Sequence, residues 1–168
     1  MDAPMGYYIN ITDSHFAINT VDIPRFFELV SDLMSDENIK EHGSGGRFNE
    51  KGEKIESWYA FIDRERVRKA INMKEIADVF WEWGYELDFL HENDGVSHYR
   101  LDLQGGDRKI GDDERFLTAI SPIVCDGCYI SVRGEDGEEW RWVFDNGRFG
   151  VMNVTHKEVF YSEPSYFN

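Results

Sequence analysis

The sequence predicts an α+β domain, a mainly antiparallel sheet with two or three helices packed on one face. Three observations carry that prediction. Two segments, 85–103 and 129–154, alternate apolar and polar residues around turn chemistry, the period of strands with one buried face. Segments preceding each of them repeat apolar residues at helical spacing, as helices with one buried stripe do. The strands are grouped rather than alternating singly with helices, which favours helices on one side of an antiparallel sheet. With 168 residues the chain can bury a core without staples, and it reads as one domain, 1–168, with a flexible arm or insertion at 36–57.

Taken in order, GYYINITDSHFAI (6–18) sets Tyr8, Asn10 and Thr12 on one side of an extended strand and Tyr7, Ile9 and Ile11 on the other. Asp13-Ser14 reads as a turn before 15–18. Asp22 can cap a helix with Pro24 in its first turn, where a missing N–H costs nothing; Phe26, Val30, Leu33 and Met34 share its face and it should end near Ser35. From 36 to 57 the apolar period disappears and four glycines stand among charges, as in an exposed loop or hairpin arm. Trp58, Tyr59 and Phe61 beside Arg64, Arg66, Arg68 and Lys69 form the residue mixture of an interface, but a strand and helix start belonging to the core is the preferred reading. Asn72 and Glu75 have capping-box spacing, opening a helix in which Ile76, Val79, Phe80 and Trp83 lie on one face and which Gly84 stops.

A hairpin follows, with Tyr85, Leu87 and Phe89 in one strand, Tyr99, Leu101 and Leu103 in the other, and Asn93-Asp94-Gly95 between them. After Gly105-Gly106, Asp112 or Asp113 opens a helix carrying Phe116, Leu117, Ile120 and Val124, with Pro122 making its end irregular. The run 129–154 should be a three-stranded meander. Trp140, Trp142 and Phe144 share one face of its middle strand, and Asp145-Asn146-Gly147 supplies the positive φ angles of a tight turn. Each buried ring there contributes on the order of 1.5–3 kcal/mol.

The segments MGYYINITDSHFAI, WEWGYELDF, KIGDDERFLTAISPIV and YISVRGEDGEEWRWVFDNG resemble a widespread set of small bacterial and phage proteins of unassigned function. The GEDG-x-x-WRW-x-F block is its most specific marker. The resemblance spans the first strand and roughly 74–147, leaves the 36–57 arm outside, and implies a fold but no catalytic residue.

A formal net charge of −15 and a pI near 4.6 argue against direct nucleic-acid binding and against adhesion to anionic membrane; a partner should be basic. Between Arg47 and Lys74 eight Lys or Arg face five Asp or Glu, so the acidity belongs to the flanking parts. No stretch is long and apolar enough to span a membrane. MDAPMGYYIN lacks the pattern of a secretory leader, and a cytoplasmic location is expected. Cys125-x-x-Cys128 places its first thiol at a helix carboxyl end beside Asp126, which disfavours the thiolate; no second pair exists to complete a zinc site. His91 and His98 could face each other across the first hairpin with Asp88 or Glu92 beside them, but solvated histidines explain them as well. No catalytic residue, metal or cofactor is therefore assigned.

Carboxylates remain. Glu86, Asp88, Glu92 and Asp94 lie on the first hairpin, Asp112, Asp113 and Glu114 at a helix start, and Glu135, Asp136, Glu138 and Glu139 around the meander turn. The helix-start acids complement the helix dipole. Like charges crowded into the 135–139 turn have no such role, so they are either a solvated tip or a contact for a basic groove. The favoured reading is a non-enzymatic, acidic protein-binding module whose partner residues are Glu135, Asp136, Glu138, Glu139, Glu86, Asp88, Glu92 and Asp94. Its sharpest form is an anti-CRISPR-like phage inhibitor that binds a basic nucleic-acid-handling effector as a nucleic-acid mimic. The alternative is a small-molecule-binding or enzymatic domain with a pocket between sheet and helices, using Trp81, Trp83, Tyr99 and His98. A third reading is a homodimer through the aromatic tail, Phe160-Tyr161 and Tyr166-Phe167.

Overall fold

A computed structural model describes residues 6–154 and 159–162. Its centre is β1 (Tyr8–Asn19). One edge of β1 is taken by β7 (Tyr129–Gly134); the other is shared by β6 (Asp107–Lys109) at its start and β5 (Val96–Leu103) at its end. β4 (Tyr85–Asn93) lies outside β5. On the far side β8 (Glu139–Asp145), β9 (Arg148–Asn153) and β10 (Val159–Tyr161) follow β7 outward. Every pairing is antiparallel. The predicted hairpin and meander are both present, and β10 adds a short edge strand to the meander. Phe160 and Tyr161 of the aromatic tail lie in β10, whereas Tyr166 and Phe167 fall outside the described residues.

The expected turn at Asp13-Ser14 is instead a bulge inside one continuous strand. Ile11 pairs with Val132 and Asp13 with Ser131, so Thr12 is the extra residue. A one-residue insertion reverses which side chains face the core. Ile9 is buried before it, and Phe16 and Ile18 after it, so odd positions face inward on one side of Thr12 and even positions on the other. A second bulge at Leu90 puts His91 opposite His98 on the outward face. Ile130, Val132, Trp142, Phe144, Tyr99, Leu101, Tyr85 and Leu87 line the inner face, while His98, Arg100, Asp102, Ser131, Arg133 and Arg141 alternate with them outward, as expected for an antiparallel sheet covered on one side.

Among the described residues five α-helices accompany the sheet, more than the two or three expected. α1 (Ile23–Leu33) buries Phe26, Phe27, Val30 and Leu33, with Phe26 stacked on Phe80 at 5.6 Å. The segment expected to be an exposed loop or hairpin arm holds a hairpin of β2 (Gly45–Phe48) and β3 (Lys54–Trp58), preceded by a helix not expected there, α2 (Asp36–His42). α3 (Arg64–Met73) is capped by Asp63, whose carboxylate accepts from the N–H groups of Glu65 and Arg66. It runs through Asn72, so the expected capping box does not form. Lys74 takes φ +60 and Glu75 becomes the uncapped start of α4 (Ile76–Glu82). α5 (Asp113–Ile120) passes into a 3₁₀ turn at Pro122. Phe116 stacks on Trp83 at 4.9 Å and meets Phe80 edge-on at 5.1 Å, which joins α4, α5 and the sheet in one aromatic core.

Candidate functional site

The 134–138 turn owes its shape to Tyr7 and to Tyr8, the first residue of β1. Gly134 lies under the Tyr7 ring, where any Cβ would collide with it, and Tyr7 reaches over to donate its hydroxyl to Asp136. The Glu138 N–H donates to the same Asp136 oxygen at 3.0 Å, and the Tyr8 N–H donates to Glu135 at 3.2 Å. The Tyr7 hydroxyl and the Glu138 N–H hold the Asp136 carboxyl below its ordinary range. Glu139 is bound twice by Arg133, at 2.9 and 3.1 Å. These contacts give the turn acids a structural role that the sequence did not show: Glu139 is paired within its own hairpin, while Glu135 and Asp136 are held by residues more than 120 positions away. A carboxylate accepts about four hydrogen bonds, so Glu135 and Asp136 keep capacity directed at solvent, and Glu138 is exposed beside them.

The other four carboxylates are elsewhere. Glu92 and Asp94 sit at the β4–β5 turn, against the carboxyl end of β1, whereas the 134–138 turn adjoins its amino end. Glu92 accepts from the Thr20 hydroxyl at 3.0 Å, and Asp94 takes φ +52 before Gly95 at φ +77, so Asp94 is a turn former. Glu86 and Asp88 lie partway along edge strand β4, Asp88 in an ion pair with Arg100 at 2.8 Å and Glu86 opposite Asp102. The fold therefore does not assemble the eight into one array; it brings together Glu135, Asp136, Glu138 and Glu139, and separately Glu92 and Asp94.

Two neighbouring acids do work that dipole complementarity did not suggest. Asp113 is 1% exposed; it pairs with Arg108 and accepts from the Tyr85 hydroxyl at 2.7 Å and the Gly111 N–H at 2.8 Å. Arg108 also donates to the Gly84 and Lys109 carbonyls at 3.1 and 2.8 Å. Asp112 accepts from the Ala60 N–H at 2.7 Å and from the backbone and hydroxyl of Ser44 at 3.1 and 3.0 Å, which fastens the segment carrying β2 and β3 to the start of α5. Neither side chain caps its own helix. The five-residue spacing of Arg108 and Asp113 around Gly111 was the readable signal for the buried pair; nothing local announces Ser44.

The cysteines are free, Cys128 buried and Cys125 half-buried. Burial pushes the Cys125 thiol up and the Cys128 thiol up to about 11. His91 and His98 stack at 4.7 Å on the open face, with His15 6.0 Å from His98. Among the described residues no group of three or more His, Cys, Asp or Glu is arranged to hold a metal ion, and no helix is long and apolar enough to cross a membrane. Of the four residues imagined around one pocket, Tyr99 faces the core and His98 the opposite face. Trp81 and Trp83 do line a cleft, of about 580 Å³, together with Phe61, Tyr8 and Lys109; these other walls come from β1, β6 and the loop before α3, which no local pattern joins to α4.

No family model, curated protein or solved structure matches the chain, so the resemblance to small bacterial and phage proteins rests on the quoted segments alone.

Proposed function

We propose that this protein is a non-enzymatic binding module whose 134–138 turn docks on a basic macromolecular partner, with Glu135, Asp136 and Glu138 as the contact. The observation that supports this reading is the cross-bracing of the turn by Tyr7 and Tyr8. Carboxylates already fixed in place lose less conformational entropy when a cationic groove closes over them. A net charge of −15 adds long-range attraction that accelerates encounter. In its narrowest form the partner is a nucleic-acid-handling protein whose groove neutralises phosphates, and the module is an inhibitor that presents carboxylates in their place.

The test is capture of partners by the tagged protein from a lysate of its host, at about 50 mM and about 500 mM salt, a span over which the Debye length falls from roughly 14 to 4 Å. A basic nucleic-acid-handling protein retained at low salt, released at high salt and lost from Glu135→Gln/Glu138→Gln is the expected result. Asp136 is left intact in that variant because it forms the turn. Retention of the same partner by the variant, or retention insensitive to salt, would remove the turn from the interface.

A further inference from the structure

The cleft beside the 61–63 segment carries three features that the binding of a basic partner does not use. Phe61 takes φ +67, a left-handed conformation that costs a bulky residue conformational energy and is a genuine outlier for it. The residue is nevertheless 62% exposed, so core burial does not compensate for the strain. Strain of this kind points toward function when the surrounding structure enforces it. Trp81 at 48% and Tyr8 at 42% exposure stand on the same cleft, so three large rings face solvent around one depression. The third feature is Trp83, a cleft-lining residue 1% exposed. Its indole N–H has no hydrogen-bond partner among the described residues, although a buried donor is nearly always satisfied.

The charges around the cleft decide the sign of the ligand. Asp63 is occupied in capping α3 and Glu82 in its ion pair with Arg66 at 3.0 Å; Asp107 stands at the exposed edge. The Arg108 guanidinium is held by Asp113 and by backbone carbonyls. Lys109 is different: its ammonium rests 5.9 Å above the Tyr8 ring and makes no ion pair within 4.0 Å among the described residues. Beside the rings the charged group left to address a ligand is therefore the Lys109 ammonium, with the Asp107 carboxylate farther out at the exposed rim and the Trp83 N–H closed off from solvent. A volume of about 580 Å³ lies in the usual range of small-molecule sites, which combine aromatic walls with a few placed polar groups.

We propose that this cleft binds a planar aromatic anion, its ring against Phe61 and Trp81 and its charge toward Lys109. The cleft meets the acidic turn at Tyr8, whose backbone pairs with Glu135, but its ligand is a small anion rather than a basic macromolecule, so the two readings fail separately. Titration calorimetry on the full chain, with AMP and indole-3-acetate as probes that join a ring to a charge, adenosine as ring alone and inorganic phosphate as charge alone, tests it. At least one ring-plus-charge probe should bind with 1:1 saturation and about tenfold or more tighter than adenosine or phosphate, a gap of about one decade in Kd. Phe61→Gly should lose that binding about tenfold or more while its thermal midpoint holds or rises, because glycine takes a positive φ without strain. Lys109→Gln should bring the charged probe down to the level of adenosine. Absence of saturation with both AMP and indole-3-acetate, or undiminished binding in a folded Phe61→Gly variant, overturns the proposal.

Discussion

Asp113 is a carboxylate removed from water, and its environment explains why it is tolerated: one oxygen meets the Tyr85 hydroxyl and Arg108, the other the Gly111 N–H. Removing one member of a buried pair leaves the other charge unsatisfied, at about 3–5 kcal/mol. Asp113→Ala should therefore lower the unfolding free energy by about that amount in urea denaturation. Asp112→Ala should cost only about 1–2 kcal/mol, because Asp112 is half-exposed and its donors can turn to water; equal losses would refute the distinction. Cys128 offers a test of opposite polarity. Burial raises its thiol to about 11, above the unfolded value, so between about pH 9 and 11 the unfolded chain releases the proton while the native one keeps it. Stability from this group is intact below the unfolded pKa and lost as pH rises through that window. Alkylation of native Cys128 at pH 8 should accordingly be far slower than that of the unfolded chain, read by mass spectrometry of its peptide.

Among the elements, β1 depends on a residue whose side chain matters little. Thr12 makes only a long hydroxyl contact to the Ser131 carbonyl at 3.4 Å, so Thr12→Ala should change stability by less than about 0.5 kcal/mol. Deleting Thr12 should be far worse, because without the bulge Ile9 and Ile11 cannot share the inner face with Phe16 and Ile18. Loss of the cooperative near-ultraviolet transition in the deletion, beside a normal one in the alanine variant, is the expected pair of results. The same bulge shows what a sequence conceals. Strict alternation made the 85–103 hairpin and the meander legible, and Asn146 and Gly147 do adopt the positive φ their turn needed. At Thr12 the period slips by one, and a slip reads like a turn. Of α3 only the start was legible, beside Arg64 to Lys69, and not its run through Asn72: Val67, Ala70 and Ile71 alone of its ten residues are buried, and its arginines, bound to Asp36 and Glu82, mask the stripe. Asp112 to Ser44 and Tyr7 to Asp136 span 68 and 129 residues, and no local pattern encodes such distances. The acidic turn was therefore visible as charge but not as a braced structure, and of the aromatic cleft only Trp81 and Trp83 were legible as pocket residues.

At the scale of the molecule, the strand at the sheet's centre sets how far apart the two acidic ends can be. β1 has 12 residues, so its ends lie about 36 Å apart at roughly 3.3 Å per step from one residue to the next. The 134–138 turn lies toward its amino end and the 93–95 turn toward its carboxyl end. That separation is about four Debye lengths at physiological salt, so the two groups act as independent electrostatic sites rather than as one field over a continuous mimic. The prediction follows from the geometry. Neutralising Glu135 and Glu138 should reduce the association rate with a captured basic partner and flatten its dependence on salt, because rim charges act mainly on encounter. Neutralising Glu92 and Asp94, with Asp94→Asn to keep a residue that tolerates the turn's positive φ, should leave both unchanged. Combining the four substitutions should give the first effect and nothing more, as expected for distant sites without shared partners. Stopped-flow association at three or more ionic strengths reads all of this in one series. If the Glu92 and Asp94 substitutions slow association as much as the first pair, the partner spans the length of the sheet, and the acidic turn loses its standing as the docking point.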